Sequence, residues 1–533
     1  MRAAEPVSPR AGRFRNPILS GFYPDPSICR VGGDFYLVNS SFAYFPGIPI
    51  HHSRDLVHWE TIGHALDRPS QLDLDGAGHS RGLFAPTIRH HEGLFYLVCT
   101  NVDAGGTFLV TAREAAGPWS EPVWLREAPG IDPSLFFDDD GRCWYCGTRP
   151  AAEGERYPGN WEVWIRELDL GRMAFSGASR GIWRGALRDC IWPEGPHIYK
   201  VDGRYYLLIA EGGTGLDHAV SVARSDSLAG PWIGKSGNPI LTHRHLGRGA
   251  PIINVGHGDL VDDGVGGWWM ALLASRPAGG LFCDLGRETF LVPVVWEDGW
   301  PVASPGTGKI EEEYAAPNLP AWEVRGEEPC DHFEDAALGP EWIGLRTPRE
   351  EFYSLAARPG YLRLRLLPAT LRENAAASFV GRRLRHLDWR ARVAVEFAPA
   401  AADETAGLAL IQSDAFQYRL EIAAGAAGAV VRLVVAEGGA DRVIAERPWP
   451  GGRTVLVAEG RGQDLRFSFG ATPRATTVLA DGVDGRVLST ERAGGFVGTV
   501  IGVFASGGGR ASDNHADFDW FEYGPRSPAP SDP

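Results

Sequence analysis

Short runs of alternating apolar and polar residues dominate this chain, and between Asn16 and Ala316 they recur as an internal repeat. Each repeat combines a glycine turn with a strand rich in aromatic residues. The five copies are Gly33-Asp-Phe-Tyr-Leu37, Gly93-Leu-Phe-Tyr-Leu97, Gly141-Arg-Cys-Trp-Tyr145, Gly203-Arg-Tyr-Tyr-Leu207 and Gly267-Trp-Trp-Met270. A repeat of about 50 to 60 residues with these features predicts a five-bladed β-propeller.

Beyond residue 316 the repeat is lost and strict alternation takes its place. Leu362, Leu364 and Leu366 share one face of a predicted strand, and Val393 and Val395 share a face of another. Glycine turns separate these strands, and no long stripe of helical period interrupts them. This pattern predicts a jelly-roll-like β-sandwich, so the expected fold class is all-β, a propeller followed by a sandwich.

The composition shifts predict the domain boundaries of the 533-residue chain, which is longer than one hydrophobic core usually covers. The expected segments are a disordered N-terminus at 1–14, the propeller at 15–316, a linker at 317–326, the sandwich at 327–524 and a disordered tail at 525–533. The two ends are rich in proline, arginine or serine, which is typical of disorder.

Charge and cysteine content limit the function classes. A net charge of −15 argues against nucleic acid or an anionic membrane as a partner. Seven scattered cysteines, an odd number, favour reduced core thiols over a disulfide framework. The first 14 residues have no apolar core of a secretory signal, and no run of 18 apolar residues occurs, so a cytoplasmic location is expected.

Three acidic residues occupy similar places in the repeat. Asp25, Asp132 and Glu194 lie 10 to 12 residues before the aromatic strands of repeats one, three and four, where repeat two has Ala85 and repeat five has His257. Since propeller blades are related by rotation about one axis, these side chains should meet at one mouth of the central channel. Gathered carboxylates raise one another's pKa, a cost that function would explain. Ordinary turns at Asp-Pro and Glu-Gly-Pro are the alternative.

These segments resemble glycoside hydrolase family 43 in order and spacing, and they look most like its two-domain β-xylosidase and α-L-arabinofuranosidase members. The motifs are Tyr23-Pro-Asp-Pro-Ser27, Phe84-Ala-Pro86, Gly130-Ile-Asp-Pro-Ser134, Glu194-Gly-Pro-His197, Gly256-His-Gly258, Leu285-Gly-Arg-Glu-Thr289, Asp331-His-Phe333 and Ala516-Asp-Phe-Asp-Trp-Phe-Glu-Tyr523. The likeness covers the propeller nearly end to end and reaches into the sandwich.

The resemblance implies a role for each carboxylate. Asp25 is the expected general base that activates water, Glu194 the general acid, and Asp132 a third carboxylate that raises the pKa of the acid and orients it. Inversion of the anomeric configuration needs acid and base roughly 6.5–9.5 Å apart, with room for a water. Arg287 matches the family's Gly-Arg-Glu-Thr segment and is expected to contact substrate hydroxyls and the base.

Aromatic residues near the motifs are candidates for the walls of a single-sugar pocket. Phe42, Phe45, Phe84 and Thr214 are the expected substrate-binding residues beside Ala85, although each aromatic is also consistent with plain core packing. In related two-domain members the sandwich lends a residue that closes the site, and a loop near residues 506–514 is expected to do so here.

Metal binding stays open. The resemblance implies that His257 lies near the substrate and, in several members, bears on a metal ion or water cluster, so Ca²⁺ in the channel and a hydrogen-bonded core histidine are both alternatives. Asp331 and Asp517 are candidates for structural Ca²⁺ in the sandwich, with ordinary turn carboxylates as the alternative. No cofactor is expected to be required for the chemistry.

Together these features predict an inverting exo-glycosidase, a β-1,4-xylosidase on short xylo- or arabinoxylo-oligosaccharides with α-L-arabinofuranosidase side activity. A primarily arabinofuranosidase function is one alternative, and a retaining fructan-active propeller is another. A non-catalytic carbohydrate-binding propeller is the alternative of another class, and it predicts the loss of at least one carboxylate. No nucleic-acid or membrane partner is expected, and a homo-oligomer is left open.

Overall fold

The computed structural model describes residues 12–324, 326 and 328–526, nearly all of them in strands and turns. The predicted disorder of residues 1–11 and 527–533 concerns positions outside this part of the chain. At both ends of the described chain, the structure contradicts the predicted disorder. Arg13–Arg15 pairs with Glu313–Ala315, where Phe14 packs against Trp269 at 6.1 Å, and Pro525 pairs with Trp389.

Within the described chain, residues 27–303 form five antiparallel sheets, each built around four strands that follow one another in sequence, except that Tyr44–Phe45 interrupts the first blade and pairs with the second domain. The first two blades contain Ser27–Val31, Asp34–Val38, Gly47–Ser53 and Glu60–Leu66, then Thr87–His91, Leu94–Asn101, Gly106–Ala112 and Val123–Trp124. The third contains Ile131–Phe137, Cys143–Pro150, Trp161–Asp169 and Ala174–Trp183. The last two contain Glu194–Val201, Arg204–Glu211, Ala219–Ser225 and Ile233–Gly234, then Ile253–Asp262, Trp268–Ser275, Glu288–Glu297 and Trp300–Ala303.

These sheets confirm the five-bladed propeller. The predicted aromatic strands are the second strands of the blades, where one face of each packs against the neighbouring blade and supplies most of the core. A further strand, Leu241–Thr242, pairs with the third strand of blade four. The pairing of Arg13–Arg15 with Glu313–Ala315 brings the two ends of the propeller domain together.

Over residues 328–526 the chain forms the predicted sandwich of two antiparallel sheets. In spatial order, one sheet contains Tyr353–Ser354, Leu362–Arg365, His515–Pro525, Asp388–Glu396, Thr454–Arg461, Asp464–Thr472 and Ala475–Asp484, with Cys330–Asp331 paired to His515–Pro525. The other contains Arg442–Pro448, Gly428–Glu437, Phe416–Gly425, Thr405–Ile411, Val500–Ser506, Phe379–Arg383 and Ile343–Leu345. Alternating apolar residues from both sheets fill one shared core between them.

Helix is scarce in the part of the chain that the structure describes. A 3₁₀ turn at Gly485–Leu488 leads into a single α-helical turn at Thr490–Ala493. No helix among these residues combines the length and the apolar character needed to cross a membrane.

The sandwich docks on the first blade through backbone pairing and a shared apolar cluster. The propeller strand Tyr44–Phe45 adds to the second sandwich sheet beside Ile343–Leu345. Phe22 and Phe42 from the propeller pack in one cluster with Phe379 and other apolar residues of the sandwich. This contact places sandwich loops next to the channel mouth.

A buried cation crosses the same interface. Arg346 of the sandwich is 1% exposed and donates to the carbonyl of Ala77 in the propeller at 2.6 Å. Its Nη2 donates to Asp414, which also lies 2.9 Å from His79 Nδ1 of the propeller, and its Nη1 donates to the carbonyl of Glu373. Because a buried guanidinium needs all these partners, the two domains are held in one relative position.

Candidate active site

One backbone conformation recurs at the channel mouth in four blades. Asp25, Asp132, Gly195 and His257 have φ angles of 52°, 53°, 55° and 50°. Asp25 lies two residues before its blade's innermost strand, Asp132 and Gly195 are the second residues of theirs, and His257 is the fifth residue of Ile253–Asp262. A left-handed conformation at a non-glycine residue costs about 1–3 kcal/mol and persists where function and packing fix it. Glu194 immediately precedes Gly195, so the third carboxylate is offset by one residue from the other two.

The predicted catalytic residues converge on one cavity of about 570 Å³. Asp25 and Asp132 are only 5% and 6% exposed there, although they come from different blades. The cavity lining comprises Asp25, Phe42, Arg81, Phe84, Ala85, Ile131, Asp132, Trp161, Trp192, Glu194, Gly212, Gly213, Thr214, Gly215, His257, Arg287 and Phe496. Every predicted site residue except Phe45 is among them.

Asp25 is held ionised by its neighbours. Arg287 Nη1 donates to Oδ1 at 2.8 Å, Ser40 Oγ donates to Oδ2 at 2.6 Å, and His257 Nδ1 lies 3.7 Å from Oδ1. Burial acts to raise the pKa of Asp25, but Arg287, His257 and Ser40 outweigh it and lower the pKa below its ordinary value. An ionised carboxylate at the channel mouth is what a general base requires.

Asp132 and Glu194 are shifted in the opposite direction. Burial and the negative charge of Asp25 raise the pKa of Asp132 to about 6, against the opposing effect of His257. Its Oδ2 accepts a hydrogen bond from Gly195 N at 3.0 Å, which links it to the strand carrying Glu194.

The carboxyl of Glu194 is shifted toward its protonated form. Burial raises the pKa of its carboxyl well above the ordinary value, and the charges of Asp132 and Asp25 raise it further. Its Oε1 is buried with no hydrogen-bond partner among the described residues, so the carboxyl is free to donate to a ligand in the cavity. A protonated carboxyl beside an ionised one is the pairing that general acid–base chemistry needs.

The sandwich closes the cavity with Phe496. Its ring centre lies 6.0 Å from those of Phe42 and Phe84, and the Arg287 guanidinium sits 5.4 Å from it. The main chain of Phe496 is fixed on both sides, because its N–H donates to Ser80 Oγ at 2.8 Å and its carbonyl accepts from Arg287. Phe496 therefore completes the pocket wall.

Two predictions about the pocket walls are wrong. Phe45 pairs with Gly344 of the sandwich instead of lining the cavity, because Tyr44–Phe45 leaves the blade to join the other domain. The loop near residues 506–514 contributes no residue to the cavity lining, and its Asn514 donates to Glu404 within the sandwich at 2.8 Å. The closing residue comes from the loop at the other end of Val500–Ser506.

Two rim residues that the sequence analysis missed form an aromatic edge. Trp192 is 39% exposed, and its indole packs closely against the backbone of Gly159 and Gly213. A side-chain Cβ atom added at either glycine would lie only 3.0 or 2.8 Å from the ring, so both positions need glycine. Trp161 Nε1 donates to Glu155 at 2.7 Å, which fixes the second indole. Trp192 stands two residues before Glu194, and this proximity is the one feature of the sequence that could have identified it.

The candidate calcium ligands are already engaged. Asp331 accepts from Trp342 Nε1 at 2.8 Å, and Asp517 accepts from Arg363 at 2.7 Å. No group of three or more His, Cys, Asp or Glu side chains in the described residues is arranged to hold a metal ion. Ca²⁺ takes about six to eight oxygen ligands, and His257 would offer a nitrogen. The donor sets therefore do not fit Ca²⁺.

A propeller that gathers two carboxyls with oppositely shifted pKa values in one pocket offers the acid–base pair that glycoside hydrolysis needs. The model of glycosyl hydrolases family 43 matches residues 14–301, and that of the β-xylosidase C-terminal concanavalin A-like domain matches residues 330–524. The chain belongs to glycoside hydrolase family 43, which confirms the resemblance seen in the motifs.

Relatives match along nearly the whole chain. A xylosidase/arabinosidase of Butyrivibrio fibrisolvens is 48% identical over 511 residues, covering 95% of this chain and 98% of the relative. A non-reducing-end α-L-arabinofuranosidase of Bacteroides ovatus is 40% identical over 518 residues, covering 96% and 94%. The crystal structure of a xylan β-1,4-xylosidase from Bacillus halodurans superposes with a TM-score of 0.91 at 34% identity, covering 96% and 99%.

Proposed function

We propose that this enzyme is an inverting exo-glycosidase that removes terminal pentoses from short xylo-oligosaccharides. β-1,4-Xylosidase activity is its main reaction, and α-L-arabinofuranosidase activity takes place in the same pocket. The observation that carries this proposal is the convergence of Asp25 and Glu194 on one cavity, with the pKa of Asp25 lowered and that of Glu194 raised. The closure of that cavity by Phe496 favours a chain end over the middle of a polymer.

In the proposed reaction each proton has a donor and an acceptor. Asp25 accepts a proton from a water, whose oxygen attacks the anomeric carbon, while Glu194 donates its proton to the glycosidic oxygen as the C–O bond breaks. The sugar leaves with inverted configuration, with Asp25 protonated and Glu194 ionised. Exchange with solvent then restores both groups.

The supporting residues set the charge states for this step. Arg287 and Ser40 stabilise the ionised form of Asp25 through hydrogen bonds of 2.8 and 2.6 Å. Asp132 disfavours ionisation of Glu194 by its negative charge and holds the neighbouring Gly195 N. The two carboxyls therefore take opposite roles although they share a pocket.

The choice of pentose is supported by the relatives. The Butyrivibrio relative carries both activities in its name, and the Bacillus structure is named a β-1,4-xylosidase. The Bacteroides relative, an arabinofuranosidase, makes a primarily arabinose-directed enzyme the second candidate. Terminal xylose and arabinose place similar hydroxyls in similar positions, so one pocket can accept both.

The test is hydrolysis of nitrophenyl β-D-xyloside against nitrophenyl α-L-arabinofuranoside, with β-1,4-xylobiose as the natural substrate. We expect a higher kcat/KM on the xyloside, measurable turnover of the arabinofuranoside, and release of xylose from xylobiose. A higher kcat/KM on the arabinofuranoside would select the second candidate, and hydrolysis of none of the three would refute the proposal. The cytoplasmic location and a homo-oligomeric state stay predictions.

A further inference from the structure

A second ring of buried side chains follows the catalytic residues along the innermost strands. In each blade the ring takes the residue two positions after Asp25, Ala85, Asp132, Gly195 or His257. Every member of the ring is at most 3% exposed. Its members are Ser27, Thr87, Ser134, His197 and Asp259. Asp259 is the only acid among them, and it lies two residues after His257 on the innermost strand of blade five.

Asp259 binds groups from three other blades. Its Oδ2 accepts from Ser27 Oγ at 2.8 Å and from Ile28 N at 3.0 Å, both in blade one. Its Oδ1 accepts from the Tyr199 hydroxyl of blade four at 2.5 Å. Arg89 of blade two donates to both oxygens, at 2.9 and 3.1 Å. One fully buried carboxylate thus joins the innermost strands of blades one, two, four and five.

The same strands carry the residues that act in the proposed reaction. Ser27 lies two residues after Asp25, and Tyr199 lies five residues after Glu194 on the strand Glu194–Val201. A shift of the strands relative to Asp259 would therefore change the position of the acid relative to the base.

The carboxylate of Asp259 stays ionised across the working pH range. Burial disfavours ionisation of Asp259, but the charge of Arg89 and the hydrogen bonds from Arg89 and Tyr199 outweigh it and hold the pKa of Asp259 at about 2. Burial lowers the pKa of His197 to about 3, so this ring is neutral and its Nδ1 accepts from Arg89 Nη2 at 3.0 Å. Removing one charge of a buried, hydrogen-bonded pair leaves the other uncompensated, so the arrangement tolerates little change.

The geometry points to Asp259 as a positioning residue that sets the separation between the base Asp25 and the acid Glu194. This inference rests on the proposed function. It does not make Asp259 a catalytic residue, because the carboxylate touches neither cavity nor substrate: it acts through Ser27 on the strand of Asp25 and through Tyr199 on the strand of Glu194. A misplacement of about 1 Å can cost about 100-fold in rate.

The test compares Asp259→Asn with Asp262→Asn. Asp262 lies on the same strand and pairs with Arg30 of blade one at 2.7 Å, but its side chain is 42% exposed and remote from the ring. We expect Asp259→Asn to lower kcat on xylobiose about 100-fold, with KM within about twofold of the wild-type value. Asp262→Asn should retain the wild-type kcat.

Leaving-group dependence separates positioning from a loss of folded enzyme. A dinitrophenyl β-xyloside needs little help from an acid, whereas xylobiose needs a well-placed one. The shortest hydrogen bond to Asp259 comes from Tyr199, on the strand that carries the acid Glu194. The fall in kcat caused by Asp259→Asn should therefore be larger on xylobiose than on the dinitrophenyl substrate. A merely structural defect would lower both rates by the same factor.

An equal loss on both substrates, or no loss, would overturn the inference. If Asp259→Asn does not fold, Tyr199→Phe decides by the same ratio, since it removes the 2.5 Å bond and keeps the ring. Asp25→Ala is measured alongside. If Asp25→Ala stays active, the proposed function fails; if it is inactive and the ratio is unchanged in the Asp259 variant, the positioning role alone fails.

Discussion

Replacing Asp284 with asparagine should stabilise the protein at and above neutral pH. Asp284 is 6% exposed, and its Oδ1 has no hydrogen-bond partner in the described part of the chain. Burial, followed by the charges of Glu491 and Asp484 from the sandwich, raises its pKa to about 8. Its carbonyl accepts from Thr499 N at 2.9 Å, so the carboxyl lies at the contact between propeller and sandwich.

The magnitude follows from the difference between the folded and unfolded pKa. The folded value is about 8 and the ordinary value is 3.8, so the protonated form is favoured by folding. This stabilising contribution is complete below about pH 4, falls progressively as the pH rises from about 4 to about 8, and is lost above that. One pKa unit corresponds to about 1.4 kcal/mol, and with allowance for local rearrangement we expect a destabilisation of roughly 2–4 kcal/mol at pH 8.

Asparagine keeps the shape of the side chain without its charge, so the destabilisation expected at alkaline pH should disappear in the variant. Thermal unfolding followed from pH 4 to pH 9 should give similar Tm values for Asp284→Asn and the wild-type protein near pH 4, and a difference that grows up to about pH 8. The variant should have the higher Tm at pH 8, and Asp202→Asn on an exposed turn is the matched control. Parallel Tm curves for the variant and the wild-type protein would refute the reasoning.

Three further predictions concern the pocket. Asp25→Ala and Glu194→Ala should each lower kcat on xylobiose by about 100- to 10,000-fold with unchanged circular dichroism, and near-normal turnover in either would remove that residue from the mechanism. Asp132→Asn deletes a negative charge that raises the pKa of Glu194, so the alkaline limb of the pH–kcat/KM profile should move to lower pH; an unmoved limb would exclude the tuning role. Phe496→Ala should raise KM about tenfold, since it removes a buried aromatic wall, and an unchanged KM would show that the sandwich does not form the pocket.

The repeat explains why the carboxylates could be predicted. Asp25 and Asp132 stand at equivalent positions and share a φ angle near 50°, so rotational symmetry brings them to one place. Glu194 departs by one residue, since Gly195 takes the left-handed position in blade four. The symmetry of the repeat is visible in the sequence because equivalent positions of each blade pack in the same way.

Contacts outside the repeat carry no such pattern. Phe496 reaches the pocket because its N–H is held by Ser80 and its carbonyl by Arg287, and both partners belong to the other domain. Phe45, predicted as a wall of the pocket, pairs with the sandwich instead. Such placements depend on how two finished domains fit together, which alternation along a strand does not encode.

Asp259 shows the same limit inside the propeller. The sequence around it, Gly258-Asp-Leu-Val-Asp262, gives no reason to separate a fully buried acid from the half-exposed Asp262 three residues later. The distinction arises from Arg89 and Tyr199, which arrive from blades two and four. A buried charge is recognisable only once its partners are known.

The anomeric configuration of the first-released xylose tests the central claim most directly. Proton NMR of β-1,4-xylobiose hydrolysis, recorded before mutarotation, reports which anomer forms at the non-reducing end. An ionised Asp25 that activates water and a protonated Glu194 that serves as acid require α-xylose to appear first. Initial release of β-xylose would mean that the configuration is retained, and it would contradict the assignment of Asp25 as a base.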